Sequence, residues 1–197
     1  LRVRRDTADT FSIDIAPADG GNCLSFAPGQ FNMVYIFGVG EIPISISSDP
    51  VDRSPLVHTT RAVGTVTQAM SKLHVGDLVG VRGPFGTAWP LEEARGRDLV
   101  VVAGGIGLAP LRPTVLHALE HRDDFGSFSL LVGARTPDDL LFVDELEEWR
   151  SRLDAEVLLA HTRSSDVIGR LGGDEFGVLL TRADEAAAHG KAVRLCD

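Results

Sequence analysis

The run from Asp98 to Pro113, Asp-Leu-Val-Val-Val-Ala-Gly-Gly-Ile-Gly-Leu-Ala-Pro-Leu-Arg-Pro, constrains this chain more than any other. Leu99 to Val102 is a short apolar run that reads as a fully buried strand. Gly104, Gly105 and Gly107 then turn the chain into a helix. Pro110 suits a first helical position, where a missing N–H costs nothing, and Leu108, Leu111, Val115, Leu116 and Leu119 make one apolar face. A strand, a glycine turn and a helix start together form an anion site, because bare N–H groups point outward and no side chain blocks a phosphate. The run departs from G-x-G-x-x-G, since Pro110 stands where that pattern has its third glycine. The alternative reading is a glycine turn that only lets helix pack on strand.

With 197 residues the chain has room for one large domain or two small ones. Its net charge of −9 argues against a nucleic-acid or acidic-membrane partner. Cys23 and Cys196 lie far apart, without the close neighbours of a zinc or iron–sulfur site, and read as free thiols in a reducing, cytoplasmic setting. No apolar run approaches ~18 residues, the length of a membrane span. No signal peptide is read, and the chain begins with Leu1 rather than Met.

Residues 1 to about 95 read as all-β. Strands are expected at Thr10–Ile15, Phe31–Phe37, Ile42–Ser47, Leu56–Val63 and Asp77–Arg82, the last closed by Gly83-Pro84. Turns fall at Gly20-Gly21 and Pro28-Gly29-Gln30, and a helix at Val66–Leu73 interrupts the strands. Such spacing suggests a barrel or sandwich. The polar segment Leu91–Arg97 marks a boundary. Beyond it the pattern alternates: strand Phe128–Val132, a helix capped by Thr136 with Pro137 first and Phe142, Leu146 and Trp149 on its buried face, and strand Glu156–Ala160. This alternation predicts a parallel sheet with helical crossovers. His58 reads as a strand residue and His117 as a helix-surface residue.

Six motifs in order carry a resemblance: Pro28-Gly29-Gln30-Phe31, Pro43-Ile44-Ser45-Ile46-Ser47, Gly64-Thr65-Val66-Thr67, Gly83-Pro84-Phe85-Gly86, the Ala103–Pro110 turn and Gly133-Ala134-Arg135. Over about residues 1–161 the chain resembles the ferredoxin–NADP reductase superfamily, most of all the flavin-binding electron-transfer subunits of cytoplasmic hydrogenases, sulfite reductases and dihydroorotate dehydrogenases. The resemblance implies a Greek-key, FAD-binding β-barrel at 1–95 and an NAD(P)-binding α/β domain, truncated, at 98–161. It implies an oxidoreductase that moves hydride between NAD(P)H and FAD and passes electrons to a partner subunit. Pro43, Ile44, Ser45, Ile46 and Ser47 would run along the flavin, with Ser45 near its reactive nitrogen. Gly64, Thr65, Val66 and Thr67 would hold the FAD pyrophosphate. Gly104, Gly105, Gly107, Ala109 and Pro110 would hold the nicotinamide nucleotide, with Gly133 and Arg135 near its adenosine ribose. The usual flavin motif is Arg-x-Tyr-Ser; here Ile42 and Ile44 stand at its Arg and Tyr positions, and Arg61 is the nearby cation. Arg135 suits a 2′-phosphate, whereas Asp138 and Asp139 argue for NAD, and the choice stays open.

The end of the chain departs from this pattern. The reductase family would continue with another βα unit ending in a Cys-Gly motif. Instead, Arg163 to Asp197 resembles the second half of the GGDEF domain of diguanylate cyclases, through Gly172-Gly173-Asp174-Glu175-Phe176 and an upstream Arg163-x-x-Asp166. That likeness implies a hairpin, a following helix at Ala183–Leu195, and an alternative function in binding GTP or cyclic di-GMP. Asp174 and Glu175 are carboxylates suited to Mg²⁺, but the first half of such a domain is missing, so cyclase activity is not expected. A different placement puts the tail in the reductase's fourth βα position, with Phe176–Leu180 added to the sheet edge and Ala192–Cys196 as the last strand.

Overall fold

A computed structural model describes residues 1–52 and 55–151 in full, and the backbone of 155–161, 167–172 and 175–179. Six antiparallel strands come first: β1 (Arg2–Arg5), β2 (Thr10–Ile15), β3 (Phe31–Ile36), β4 (Gly40–Ser45), β5 (Leu56–Arg61) and β6 (Gly80–Phe85). Helix α1 (Thr65–Met70) lies between the last two. They form two three-stranded sheets, β1-β2-β5 and β4-β3-β6, which meet at a bridge between Ile46 and His58. Alternation along the strands sends Phe11, Ile13, Val34, Ile36 and Ile44 inward, where Met70 of α1 joins them in one core.

Strand β1 was not expected from the sequence; it pairs with β2 from Arg2↔Asp14 to Arg5↔Phe11. Strand β6 lies later than expected. Asp77 is held in a turn, its N–H donating to the His74 carbonyl and its carboxylate accepting the His74 N–H. Leu78 beside it is exposed. The strand instead runs through Gly83-Pro84, and its pairing with β3 shifts register between Phe31 and Met33. A bulge is where a strand tolerates proline. Gly83 is required there: a Cβ would stand 2.2 Å from Asn32 Oδ1.

The second half is a parallel sheet of β7 (Leu99–Gly104), β8 (Phe128–Ala134) and β9 (Ala155–His161), in that order. Helix α2 (Leu108–Glu120) connects the first pair and α3 (Val143–Ser151) the second. Both helices pack on one face of the sheet, as right-handed crossovers in one direction require. Leu108, Val115, Ala118 and Leu119 of α2 and Leu146 and Trp149 of α3 meet Val101, Ala103, Phe128, Leu130 and Val132. Each Val, Leu or Phe among them contributes about 1.5–3 kcal/mol on full burial.

The reading of β7 as fully buried is therefore corrected. Val101 and Ala103 are in the core, but Val100 is 62% and Val102 41% exposed, because both helices cover the opposite face. Two helix boundaries also move. Pro110 is the third residue of α2, still within the first turn, where the N–H that proline lacks would have no helical partner. Thr136 does not cap α3. It precedes a separate 3-10 turn, Pro137–Asp139, and its hydroxyl bonds the Asp139 carboxylate at 3.0 Å. Leu140 is extended, and α3 starts at Val143 with Leu146 and Trp149 buried as expected.

In the tail, β10 (Val167–Gly172) and β11 (Glu175–Leu179) pair only with each other among the described residues. The placement of Phe176–Leu180 at the edge of the parallel sheet is thus not what forms. Residues 163, 166, 173, 174 and the stretches expected as a helix at 183–195 and a strand at 192–196 lie outside the described residues.

Candidate nucleotide-binding cleft

Gly104 and Gly133 pair side by side at the carboxyl ends of β7 and β8, the edge of an open α/β sheet where ligands bind. From Gly104 the chain passes through a 3-10 turn, Gly105–Gly107, into α2. Gly105 adopts φ +52, a left-handed conformation that favours glycine. A Cβ on Gly107 would meet nothing within 4 Å. No side chain caps the start of this 13-residue helix; the Leu108 N–H bonds back to the Gly105 carbonyl within the 3-10 turn, and the open space beside Gly107 leaves this helix start approachable by an anion. Ala109, in contrast, is 1% exposed and packs inward, so it can offer a ligand its backbone only.

The turn looks toward the antiparallel half. A Cβ on Gly105 would lie 3.6 Å from Nη2 of Arg61, at the end of β5. Arg61 Nε stands 3.4 Å from Asp9 Oδ2, yet has no aligned hydrogen bond. The Thr10 hydroxyl, at 2.9 Å, does most to hold the Asp9 carboxyl below its usual range. Burial opposes it, and Arg61, Thr7 and Arg135 each add a smaller lowering effect. Arg135, just past β8, is largely exposed and lies 3.7 Å from Asp139. The cations expected on separate cofactors thus share one neighbourhood around Asp9, which the sequence reading had not singled out.

Beside Arg61 begins α1. Gly64 is its extended first cap, and a Cβ there would meet only Thr67 Oγ1, at 3.9 Å. The Thr67 hydroxyl accepts the N–H groups of Val63 and Gly64 at 3.1 and 3.0 Å and donates to the Gly64 carbonyl at 3.1 Å. Thr67 is therefore a buried cap, with Thr65 exposed and Val66 half-buried ahead of it.

Along β4 and just after it, side chains alternate. Pro43 is exposed and Ser45 half-buried, whereas Ile44, Ile46 and Ser47 point inward and are buried. Only Pro43 and Ser45 can present side chains outward; the other three have backbone groups alone to offer. Behind Ser45 sits His58, fully buried, its Nδ1 3.0 Å from the Ser45 carbonyl and its Nε2 3.3 Å from Asn32 Nδ2. Burial pushes its pKa down to about 4, so at neutral pH the ring donates from Nδ1 and accepts at Nε2. The signal available in the sequence was a histidine between Val57 and Thr59 in a strand, and it was read as no more than that. Among the described residues, no group of three or more His, Cys, Asp or Glu is placed to hold a metal ion, and no helix is long and apolar enough to cross a membrane.

Residues 101–175 match the oxidoreductase NAD-binding domain family. The gamma subunit of sulfhydrogenase 1 from Pyrococcus furiosus is 42% identical over 132 residues, covering 67% of this chain and 45% of the relative. A probable dihydroorotate dehydrogenase B (NAD(+)) electron transfer subunit from Methanocella arvoryzae is 36% identical over 154 residues, 78% of this chain and 51% of the relative. Phthalate dioxygenase reductase superposes with a TM-score of 0.68 at 23% identity, over 87% of this chain and 52% of its own. The NADH-dependent reduced ferredoxin-NADP oxidoreductase does so with 0.64 at 26%, over 81% and 54%. The chain carries the oxidoreductase NAD-binding domain within a fold like that of ferredoxin–NADP reductases. It spans about half the length of the curated relatives it matches. The NAD-binding match extends through β10 and ends at Glu175, the first residue of β11, and the GGDEF-like reading of this tail finds no support.

Proposed function

We propose that this chain is the cofactor-bearing module of an electron-transfer subunit, binding FAD on its antiparallel half and NAD(P)H on its parallel sheet. It would pass electrons to a catalytic partner of the kind its relatives serve, a hydrogenase or a dihydroorotate dehydrogenase. The observation that carries this reading is the meeting of Arg61 with Gly105, which turns two glycine-led helix starts toward one cleft.

The residues fit both groups. Open space before Gly107 and Gly64 accepts a diphosphate at each helix start. Gly104, Gly105, Gly107 and the Pro110 turn would take the nicotinamide nucleotide, with Gly133 and Arg135 beside its ribose. Gly64, Thr65 and Val66 would take the FAD pyrophosphate, with Arg61 supplying the cation that Ile42 does not. When bound, the two cofactors supply the reactivity, a hydride passing from nicotinamide to flavin. The chain's own residues orient and enclose. Pro43 and Ser45 would line the flavin, Ser45 offering a hydroxyl, while His58 fixes the Ser45 carbonyl from behind. Asp139, already beside Arg135, favours a ribose hydroxyl over a 2′-phosphate at that position.

Equilibrium dialysis against FAD tests the reading. A yellow protein with one FAD per chain is expected. A colourless protein, or the same uptake by the Gly64→Val variant, counts against it.

A further inference from the structure

We infer that Arg112 is the positioning residue that sets the spacing between the two nucleotide sites, clamped for that task by Glu145 and Phe142. The inference rests on the two-site reading above. Arg112 lies on α2, five residues beyond Gly107, or about 7 Å along the helix axis. Its Nη1 donates to the backbone carbonyl of Ser47 in the other half of the molecule. Ser47 lies two residues beyond Ser45. One side chain therefore ties the helix that starts at the glycine turn to the segment that carries Ser45.

Both ends of the tie are held. Ser47 donates its N–H to Val57 at 2.9 Å. Its hydroxyl meets Thr59 at 3.0 Å, Thr59 meets Ser12 at 2.7 Å, and Ser12 donates to Asp6 at 2.6 Å. This buried chain of hydroxyls keeps the accepting carbonyl from moving. On the other side, Arg112 Nε donates to Glu145 Oε2 at 2.7 Å, a charge-assisted bond, and its guanidinium sits 5.3 Å from the Phe142 ring centroid. Phe142 adopts φ +56, among the described residues the one non-glycine in the left-handed region. A bulky residue persists there only when its surroundings hold it. Here the bent backbone starts α3, with the Phe142 carbonyl accepting the Leu146 N–H at 2.8 Å, and the ring lies against Arg112. A planar guanidinium can donate in two directions while stacking on a ring; an ammonium cannot do all three.

Neither nucleotide site uses Arg112 directly, so breaking the tie should loosen the spacing and leave each site formed. The test compares the parent chain with Arg112→Ala, Arg112→Lys and Glu145→Gln. Spin labels on Lys72→Cys and Glu120→Cys, with Cys23 and Cys196 changed to Ser, report the distance between the halves by pulsed dipolar spectroscopy. One narrow distance is expected for the parent, a broad distribution for Arg112→Ala, and intermediate widths for the other two. In FAD-loaded protein, Arg112→Ala should keep FAD and NADH affinities within about threefold while NADH-driven flavin reduction slows on the order of 10²-fold, the cost of a ~1 Å misplacement. An unchanged distance distribution, or affinities that fall in step with the rate, overturns the inference. If the parent takes up no FAD, the two-site reading fails, and the label distances still decide whether Arg112 sets the spacing.

Discussion

The two glycine-led helix starts look alike in sequence and differ in structure. At α2 the start is bare: thirteen residues of helix, no capping side chain, and open space before Gly107. At α1 the helix has six residues, and the Thr67 hydroxyl already accepts two N–H groups ahead of it. On the proposed function the first leaves room for a ligand at its start, whereas the second is already capped by Thr67 and would rely on Arg61 beside it to attract an anion. Glycine in a turn thus permits close approach in both places, but only the neighbouring side chains say how many donors remain.

The largest expected difference between the halves is in acid. The antiparallel half buries His58, whose pKa is lowered from 6.5 to about 4, whereas His117 on α2 is lowered to a lesser extent at a partly exposed site. For His58, the stability this contributes is complete above about pH 6.5 and lost as pH falls toward 4, amounting to about 3 kcal/mol. Denaturant titrations at pH 7 and pH 4 should show that loss for the parent and a much smaller one for His58→Gln.

Next comes Gly107→Ala. The new methyl fills the open space while φ −61 suits alanine, so stability should hold within about 1 kcal/mol. NADH affinity should fall at least tenfold. Calorimetry showing parent-like affinity would place the nucleotide elsewhere. Thr67→Val sharpens the contrast from the other side. Leaving the Val63 and Gly64 N–H groups without their acceptor should cost about 1–3 kcal/mol of folding free energy, with NADH affinity unchanged. The smallest effect is expected at Asp139→Asn, which frees Arg135 and should move the NADH/NADPH preference a few-fold toward NADPH.

Much of this was legible in the sequence. The β7–turn–α2 unit was visible because an apolar run, three glycines and a 3.6-residue repeat agree. Ser45 was singled out by its place in a motif and Arg61 as the cation near one. Less local features were not. Val100 and Val102 look like core residues until both helices are seen to share the far face. Leu78 and Val79 mimic a strand that Asp77 and His74 hold in a turn. Asp9 and His58 gain their meaning from residues in other strands and segments: Asp9 from Arg61 and Arg135, His58 from Ser45 and Asn32. No spacing rule ties them in advance.

The claim on which the rest depends is that both helix starts serve one cleft. It is tested most directly by adding NADH anaerobically to the FAD-loaded protein and following the flavin absorbance. Bleaching by a stoichiometric amount of NADH is predicted. A flavin that stays yellow while NADH demonstrably binds would contradict the account.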